Sequence, residues 1–297
     1  MDGTVIEQQP VAPAAPFHRE AGNGRGVVCI HCNASSSSQW HSLMKRLAPR
    51  HRVLAPDTHG AGRGPAWPTD RTLTLHDEVA LLEPVFANAG APFALVGHSY
   101  GAAVALLAAL KQPERVHALV LYEPTLFALV DAASPAPNAA DGIRATVARA
   151  GAALAAGDRG TAAEAFIDYW MGAGAWAAKP APQRSAIEAA VVNVQGWGGA
   201  LLAEATPLDA FRSLEMPVLL MQGSETPSSA RAVSELLART LPRVETLVFE
   251  GVGHMGPITH PAQVDEAIDG FLRRHLAAEP FKDVPRFDIE AWRSRHV

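Results

Sequence analysis

Gly97-His98-Ser99-Tyr100-Gly101 limits what this chain can fold into more than any other stretch. An apolar run, Phe93 to Val96, precedes it and reads as a buried strand; an alanine- and leucine-rich segment, Ala102 to Leu107, follows and reads as a helix. G-x-S-x-G between a strand and a helix is the signature of a nucleophile elbow. The chain must reverse within a few residues, which puts Ser99 in a strained backbone conformation and presses neighbouring atoms together. A side chain at 97 or 101 would collide, so glycine is expected at both. The turn lifts the Ser99 hydroxyl to a helix N-terminus and leaves the Tyr100 backbone N–H to bind a developing oxyanion.

Such a junction needs a large α/β core, and the chain can supply one. It has 297 residues, 48% of them hydrophobic, enough for one large α/β domain or such a domain with an insertion. Lys and Arg number 25 against 30 Asp and Glu, a net charge of −5 with no basic block, so nucleic acid is not an expected partner. No apolar run reaches membrane-spanning length. Met1 to Pro16 lacks a basic segment followed by an apolar one and reads as a loose arm, so a cytoplasmic location is expected.

Two cysteines stand in Cys29-Ile30-His31-Cys32. In extended chain, residues three apart lie about 10 Å apart and face opposite sides, whereas a disulfide needs Cα atoms about 4.4–6.8 Å apart. No second cysteine pair completes a zinc site. Both are therefore expected to be core thiols.

Further strands are expected at 26–30, 52–55, 116–122, 217–221 and 244–249, and helices at 41–47, 75–89 and 228–240. The 75–89 helix contains Pro84, a candidate bend. Ser37 or Ser38 is expected to cap the 41–47 helix. Asp57 reads as a turn-former bonding backbone N–H groups. Residues 125–210 change character: Pro135 and Pro137 mark a linker, and helical patterns follow at about 141–156, 160–171 and 182–195, with no strand signal before Met216-Pro217. They and their turns carry Phe166, Tyr169, Trp170, Met171, Trp176 and Trp197. A final helix starts at Pro261, with Val264, Ile268, Phe271 and Leu272 on its inner face. Its inner face contrasts with the tail 279–297, which mixes charge with Phe281, Phe287 and Trp292 and is a candidate surface for packing on the body or in a homodimer.

His254 follows the last strand in Gly251-Val252-Gly253-His254, a glycine-flanked loop that can carry the ring back to Ser99. His98 is locked inside the elbow, and His260 reads as a helix cap. Two carboxylates compete to support His254. Glu123 stands at the end of the 116–122 strand, at the sheet edge where ligands of open α/β sheets bind, and Glu225 stands in the loop after the 217–221 strand.

The elbow, the Ile30-His31 loop, Pro56-Asp57-Thr58-His59-Gly60 and Gly251-Val252-Gly253-His254 together resemble the α/β-hydrolase fold family over about residues 16–277. The resemblance implies a mostly parallel sheet flanked by helices, a core of 1–124 and 211–297, and a helical cap, 125–210, inserted over the nucleophile. It implies a chain order of nucleophile, acid and histidine, with Asn33 and Tyr100 as oxyanion donors; the family usually has His-Gly where this chain has His31-Cys32. In most relatives the acid is an aspartate three residues after the glycine matching Gly223, where this chain has Thr226; some members carry it at the position of Glu123. The expected site is therefore Ser99, His254 and Glu123, with His31, Trp170, Met171 and Trp197 as substrate contacts. The expected reaction is hydrolysis of a carboxylic ester of a small to medium apolar molecule through an acyl-enzyme, without metal or organic cofactor. Lactone, thioester or C–C hydrolysis, or a hydrolase-fold receptor with slow turnover, use the same residues.

Overall fold

The computed structural model describes residues 15–68 and 70–276. Most of the N-terminal arm and the 279–297 tail, with the homodimer surface expected there, lie outside the described residues. A seven-stranded sheet runs in the order β1-β3-β2-β4-β5-β6-β7. Its strands are β1 His18–Ala21, β2 Arg25–Ile30, β3 His51–Pro56, β4 Phe93–His98, β5 Val116–Tyr122, β6 Val218–Gly223 and β7 Val244–Phe249. Among the described strands, only β1 pairs antiparallel, against β3. That strand escaped the sequence reading because His18-Arg19-Glu20-Ala21 has no apolar alternation.

Successive residues of the central strands serve opposite faces. Val27, Cys29, Val53, Ala94, Val96, Val120 and Met221 meet helix α1 (His41–Leu47) and the C-terminal helix. Val28, Ile30, Leu54, Leu95, Leu119, Leu121 and Leu220 meet the other layer. That layer contains α2 (Leu75–Ala89) and α3 (Tyr100–Lys111). α2 continues through Pro84 as one helix, with Thr74 and Asp77 forming a reciprocal capping box. The cap residue before α1 differs from expectation: Ser36 caps a 3₁₀ turn, Ser37–Trp40, while the Ser37 N–H is taken by Asp57 Oδ1 at 2.6 Å.

Between β5 and β6 the described chain carries helices alone: α4 Ala128–Ala133, α5 Asp141–Ala155, α6 Arg159–Met171, α7 Ala181–Ala190 and α8 Val194–Leu202, then a 3₁₀ turn, Leu208–Ser213. The single helix expected over 182–195 is two, separated by a 3₁₀ turn at Val191–Asn193. α9 (Ser228–Thr240), the short α10 (Gly256–Thr259) and α11 (Pro261–His275) complete the fold. Among the described residues, no helix is long and apolar enough to cross a membrane.

Candidate active site

The strands end where the chemistry-bearing residues gather. Ser99, between β4 and α3, has φ 57° and ψ −118°, a region that L-residues avoid. A Cβ on Gly97 would lie 2.5 Å from the Ala102 Cα, and one on Gly101 would lie 2.3 Å from the Ile30 carbonyl oxygen, so the turn closes only with glycine at both. The Ser99 N–H donates to the Tyr122 carbonyl at 2.9 Å, tying the elbow to the end of β5. Tyr100 opens α3, where the first N–H groups have no intrahelical acceptor.

Glu123 follows β5 immediately and is fully buried, also at positive φ, 45°. Its Oε1 accepts the Gly223 N–H at 2.8 Å. Its Oε2 accepts the Thr226 hydroxyl at 2.5 Å and the His254 Nδ1–H at 2.5 Å. On the far edge of that ring, Nε2 lies 2.9 Å from Ser99 Oγ. With Nδ1 carrying the proton, Nε2 is the acceptor, so the arrangement can draw a proton from the serine and hold the resulting positive ring against a buried carboxylate. Thr226, at the position where the family usually has its aspartate, reaches the same oxygen that His254 does. Glu225, one residue earlier, is exposed.

Two contacts hold the backbone of the His254 loop and a third covers the ring. The Tyr122 hydroxyl donates to the Gly253 carbonyl at 2.8 Å, and the His98 Nε2–H donates to the His254 carbonyl at 2.9 Å. The Trp170 indole stacks on the His254 ring at 3.9 Å between centroids and 25° between planes. His98 is fully buried; desolvation holds it well below the usual histidine range, with the nearby His254 adding to the effect, and it stays neutral. Its Nδ1 accepts from the Gln39 amide at 3.1 Å, and Gln39 Oε1 accepts the Cys32 N–H at 3.1 Å. One amide thus links the loop after β2, the elbow and, through His98, the His254 loop. A Gln39→Leu substitution leaves Cys32 N–H and His98 Nδ1 without these partners, and each such group costs about 1–3 kcal/mol. The expected loss of stability is about 2–6 kcal/mol, read as a lower urea midpoint with the denaturant slope unchanged.

Ser99 and Asn33 line one cavity, walled by Phe127, Ile143, Val147, Phe166, Trp170 and Trp197. Its free volume, ≈ 20 Å³, matches about one water molecule. Ala34, beside Asn33, is a third non-glycine residue at positive φ, 53°, so strained backbone collects around this space. Beyond Trp170 lies a broader groove of ≈ 490 Å³, lined by Met171, Glu225, Thr226 and Met255 among others.

Two of the expected substrate contacts lie outside the lining of the Ser99 cavity. Met171 faces the outer groove instead of the Ser99 cavity, because α6 turns its last residue past Trp170. His31 does not line the cavity either: it is buried, its Nδ1–H donates to the Cys32 carbonyl at 2.7 Å, and its Nε2 accepts the Thr58 N–H at 3.3 Å. Desolvation lowers its pKa, so it is a neutral brace between two loops. Trp170 and Trp197 do line the cavity, and Trp197 is held edge-on by Trp67 at 6.4 Å. Asp57 takes backbone N–H groups of Ser37 and Arg63, and His59 pairs with Glu78 at 2.9 Å, so Asp57 and His59 do not form a couple. Both cysteines are buried free thiols; burial pushes Cys32 up to about 12 and Cys29 higher still. Among the described residues, no group of three or more His, Cys, Asp or Glu is arranged to hold a metal ion.

The hydrophobic walls carry little sequence signal individually, since their apolar residues read equally as packing. Gln39 was also invisible, because its bond to His98 spans 59 positions of the chain.

Comparison with known proteins agrees with this architecture. The chain is 31% identical over 273 residues to a pimeloyl-[acyl-carrier protein] methyl ester esterase of Aeromonas hydrophila, covering 84% of this chain and 96% of that one. A thermophilic esterase from Thermogutta terrifontis superposes with a TM-score of 0.69 at 24% identity, covering 87% and 93% of the two chains. The enol-lactonase of Burkholderia xenovorans gives 0.69 at 18% identity over 86% and 95%. The sequence model of the alpha/beta hydrolase fold matches residues 26–261. With the mostly parallel sheet and the serine elbow at its centre, that match makes the chain a member of the α/β-hydrolase fold family.

Proposed function

We propose that this hydrolase cleaves carboxylic esters of small to medium apolar molecules, with Ser99 as nucleophile, His254 as general base and Glu123 as its acid partner. The observation that carries the reading is the unbroken line Ser99 Oγ–His254–Glu123, at 2.9 and 2.5 Å, with Ser99 in the wall of a largely apolar cavity. The Aeromonas relative, an esterase by name, supports the choice of an ester bond.

In the proposed reaction His254 Nε2 takes the Ser99 proton as Oγ attacks the ester carbonyl. The N–H groups of Tyr100 and Asn33 receive the oxyanion; a donor of this kind contributes about 2.7–4 kcal/mol to the transition state. His254 then returns the proton to the departing alcohol, and water repeats the cycle on the acyl-enzyme. Glu123 keeps the Nδ1–H tautomer and balances the charged ring. The Trp170 face covers the imidazole while leaving its Nε2 edge to Ser99. Residues 125–210 act as the cap, closing the acyl site with apolar side chains.

A panel of p-nitrophenyl esters, alkyl methyl esters and lactones of graded size tests the reading. Steady turnover of short esters supports it; tight ligand retention without turnover would point to a receptor, and faster lactone turnover to a lactonase. Within this panel, Trp170→Ala and Trp197→Ala are expected to raise kcat/KM for longer acyl chains relative to acetate by about 10-fold, the discrimination one or two methylenes command in an apolar pocket. Unchanged ratios in both variants would remove the cap from substrate selection.

A further inference from the structure

The Ser99 cavity contains a buried hydroxyl for which the reaction above has no use. Thr125, two residues after Glu123, lines the cavity, is only 1% exposed, and its hydroxyl makes no hydrogen bond among the described residues. Its neighbours on the wall are aromatic or aliphatic: Phe127, Ile143, Val147, Phe166 and Val194. A buried hydroxyl without a partner is unfavourable, and native proteins satisfy nearly all such groups. An apolar pocket meant for a plain hydrocarbon would be served better by valine, which has the same shape. The unpaired hydroxyl therefore points to a partner that arrives with the ligand.

We propose that Thr125 selects substrates whose acyl group carries a hydroxyl or carbonyl oxygen close to the scissile bond, in an otherwise apolar chain. This rests on the serine-esterase reading above. The acyl group is the part concerned because it stays bonded to Ser99, in the same cavity, until deacylation. The Thr125 hydroxyl can donate to a carbonyl oxygen or exchange bonds with a hydroxyl. An unsubstituted acyl group leaves it buried and unpaired, and a site built to hydrogen-bond a substrate group rejects the analogue lacking it far more strongly than it senses one methylene.

The experiment uses shape-matched pairs with a constant phenol leaving group: phenyl lactate against phenyl isobutyrate, and phenyl 3-hydroxybutyrate against phenyl 3-methylbutanoate. Each pair exchanges OH for CH₃, at carbon 2 or carbon 3. The full chain is expected to favour the hydroxyl member of at least one pair in kcat/KM. Thr125→Val is expected to cut that preference by about 10–100-fold, the equivalent of one hydrogen bond made in a buried site, partly by improving the methyl member. Thr125→Ser is expected to keep the preference, and Thr125→Ala to lose it, which preserves the comparison if the valine variant does not fold. Unchanged ratios for both pairs in Thr125→Val would overturn the proposal. An equal fall for both members would assign the hydroxyl to a bound water and overturn it too. A Ser99→Ala variant that still hydrolysed these esters would instead remove the underlying esterase reading, a result separate from either.

Discussion

Ser99→Ala is expected to lower kcat/KM for a short p-nitrophenyl ester by about 10⁵–10⁶-fold, as loss of a triad nucleophile does elsewhere. The fold should survive. Alanine keeps the Cβ that already sits at φ 57°, and the Ser99 N–H bond to the Tyr122 carbonyl involves only backbone. His254 keeps its bond to Glu123, so the change isolates the attacking oxygen. The residual rate reports what the oxyanion donors and the cavity do for attack by water. A fluorophosphonate should label the native chain once, on the peptide containing Ser99, and should not label the variant. Labelling at another serine, or near-native turnover by Ser99→Ala, would place the nucleophile elsewhere.

Glu123→Gln is expected to cost about 10⁴-fold in kcat, with KM changed far less, as when the acid of a Ser-His-acid triad is replaced by its amide. The hydrogen-bond pattern gives the reason. Three donors converge on the carboxylate: Gly223 N–H on one oxygen, Thr226 Oγ–H and His254 Nδ1–H on the other. An amide has one oxygen. If that oxygen faces His254, the NH₂ meets the Gly223 N–H; if it faces Gly223, the NH₂ meets His254 and demands a bare Nδ1. The second arrangement moves the ring proton to Nε2, where it can no longer accept from Ser99. Glu225→Gln is expected to change kcat by less than about 2-fold, since Glu225 is exposed and exposed charges contribute little. Circular dichroism and urea midpoints keep misfolding separate from lost chemistry. A Glu123→Gln enzyme near native activity, beside a disabled Glu225→Gln enzyme, would move the acid to the loop after β6.

The elbow was legible in the chain because a strand-to-helix reversal admits so few residue types. Glycine at 97 and 101 is a local steric demand, and the structure shows the backbone atoms that impose it. The central strands were legible too, since strands buried on both faces read as continuous apolar runs. What short-range pattern could not convey was β1, which is polar and stands at the sheet edge, and the break of the 182–195 helix at Val191–Asn193. Gln39 needed three loops to be brought together before its amide had anything to hold.

The sequence by itself determined the α/β class, the strained serine and the histidine loop, because each follows from contacts a few residues apart or from one face of a strand. For the partner of His254 the residues alone left two carboxylates, and the family resemblance favoured Glu123 over Glu225. Only the tertiary structure brought Glu123 to the ring: β5 lies beside β4 in the sheet, so a residue just past its end reaches His254 from 131 positions away. The same placement brought the Thr226 hydroxyl to the carboxylate oxygen that holds His254, and left His31 and Met171 out of the cavity wall. It also left Thr125 facing the nucleophile's cavity without a partner. These are properties of distance and direction between segments, which no periodicity along a single segment encodes.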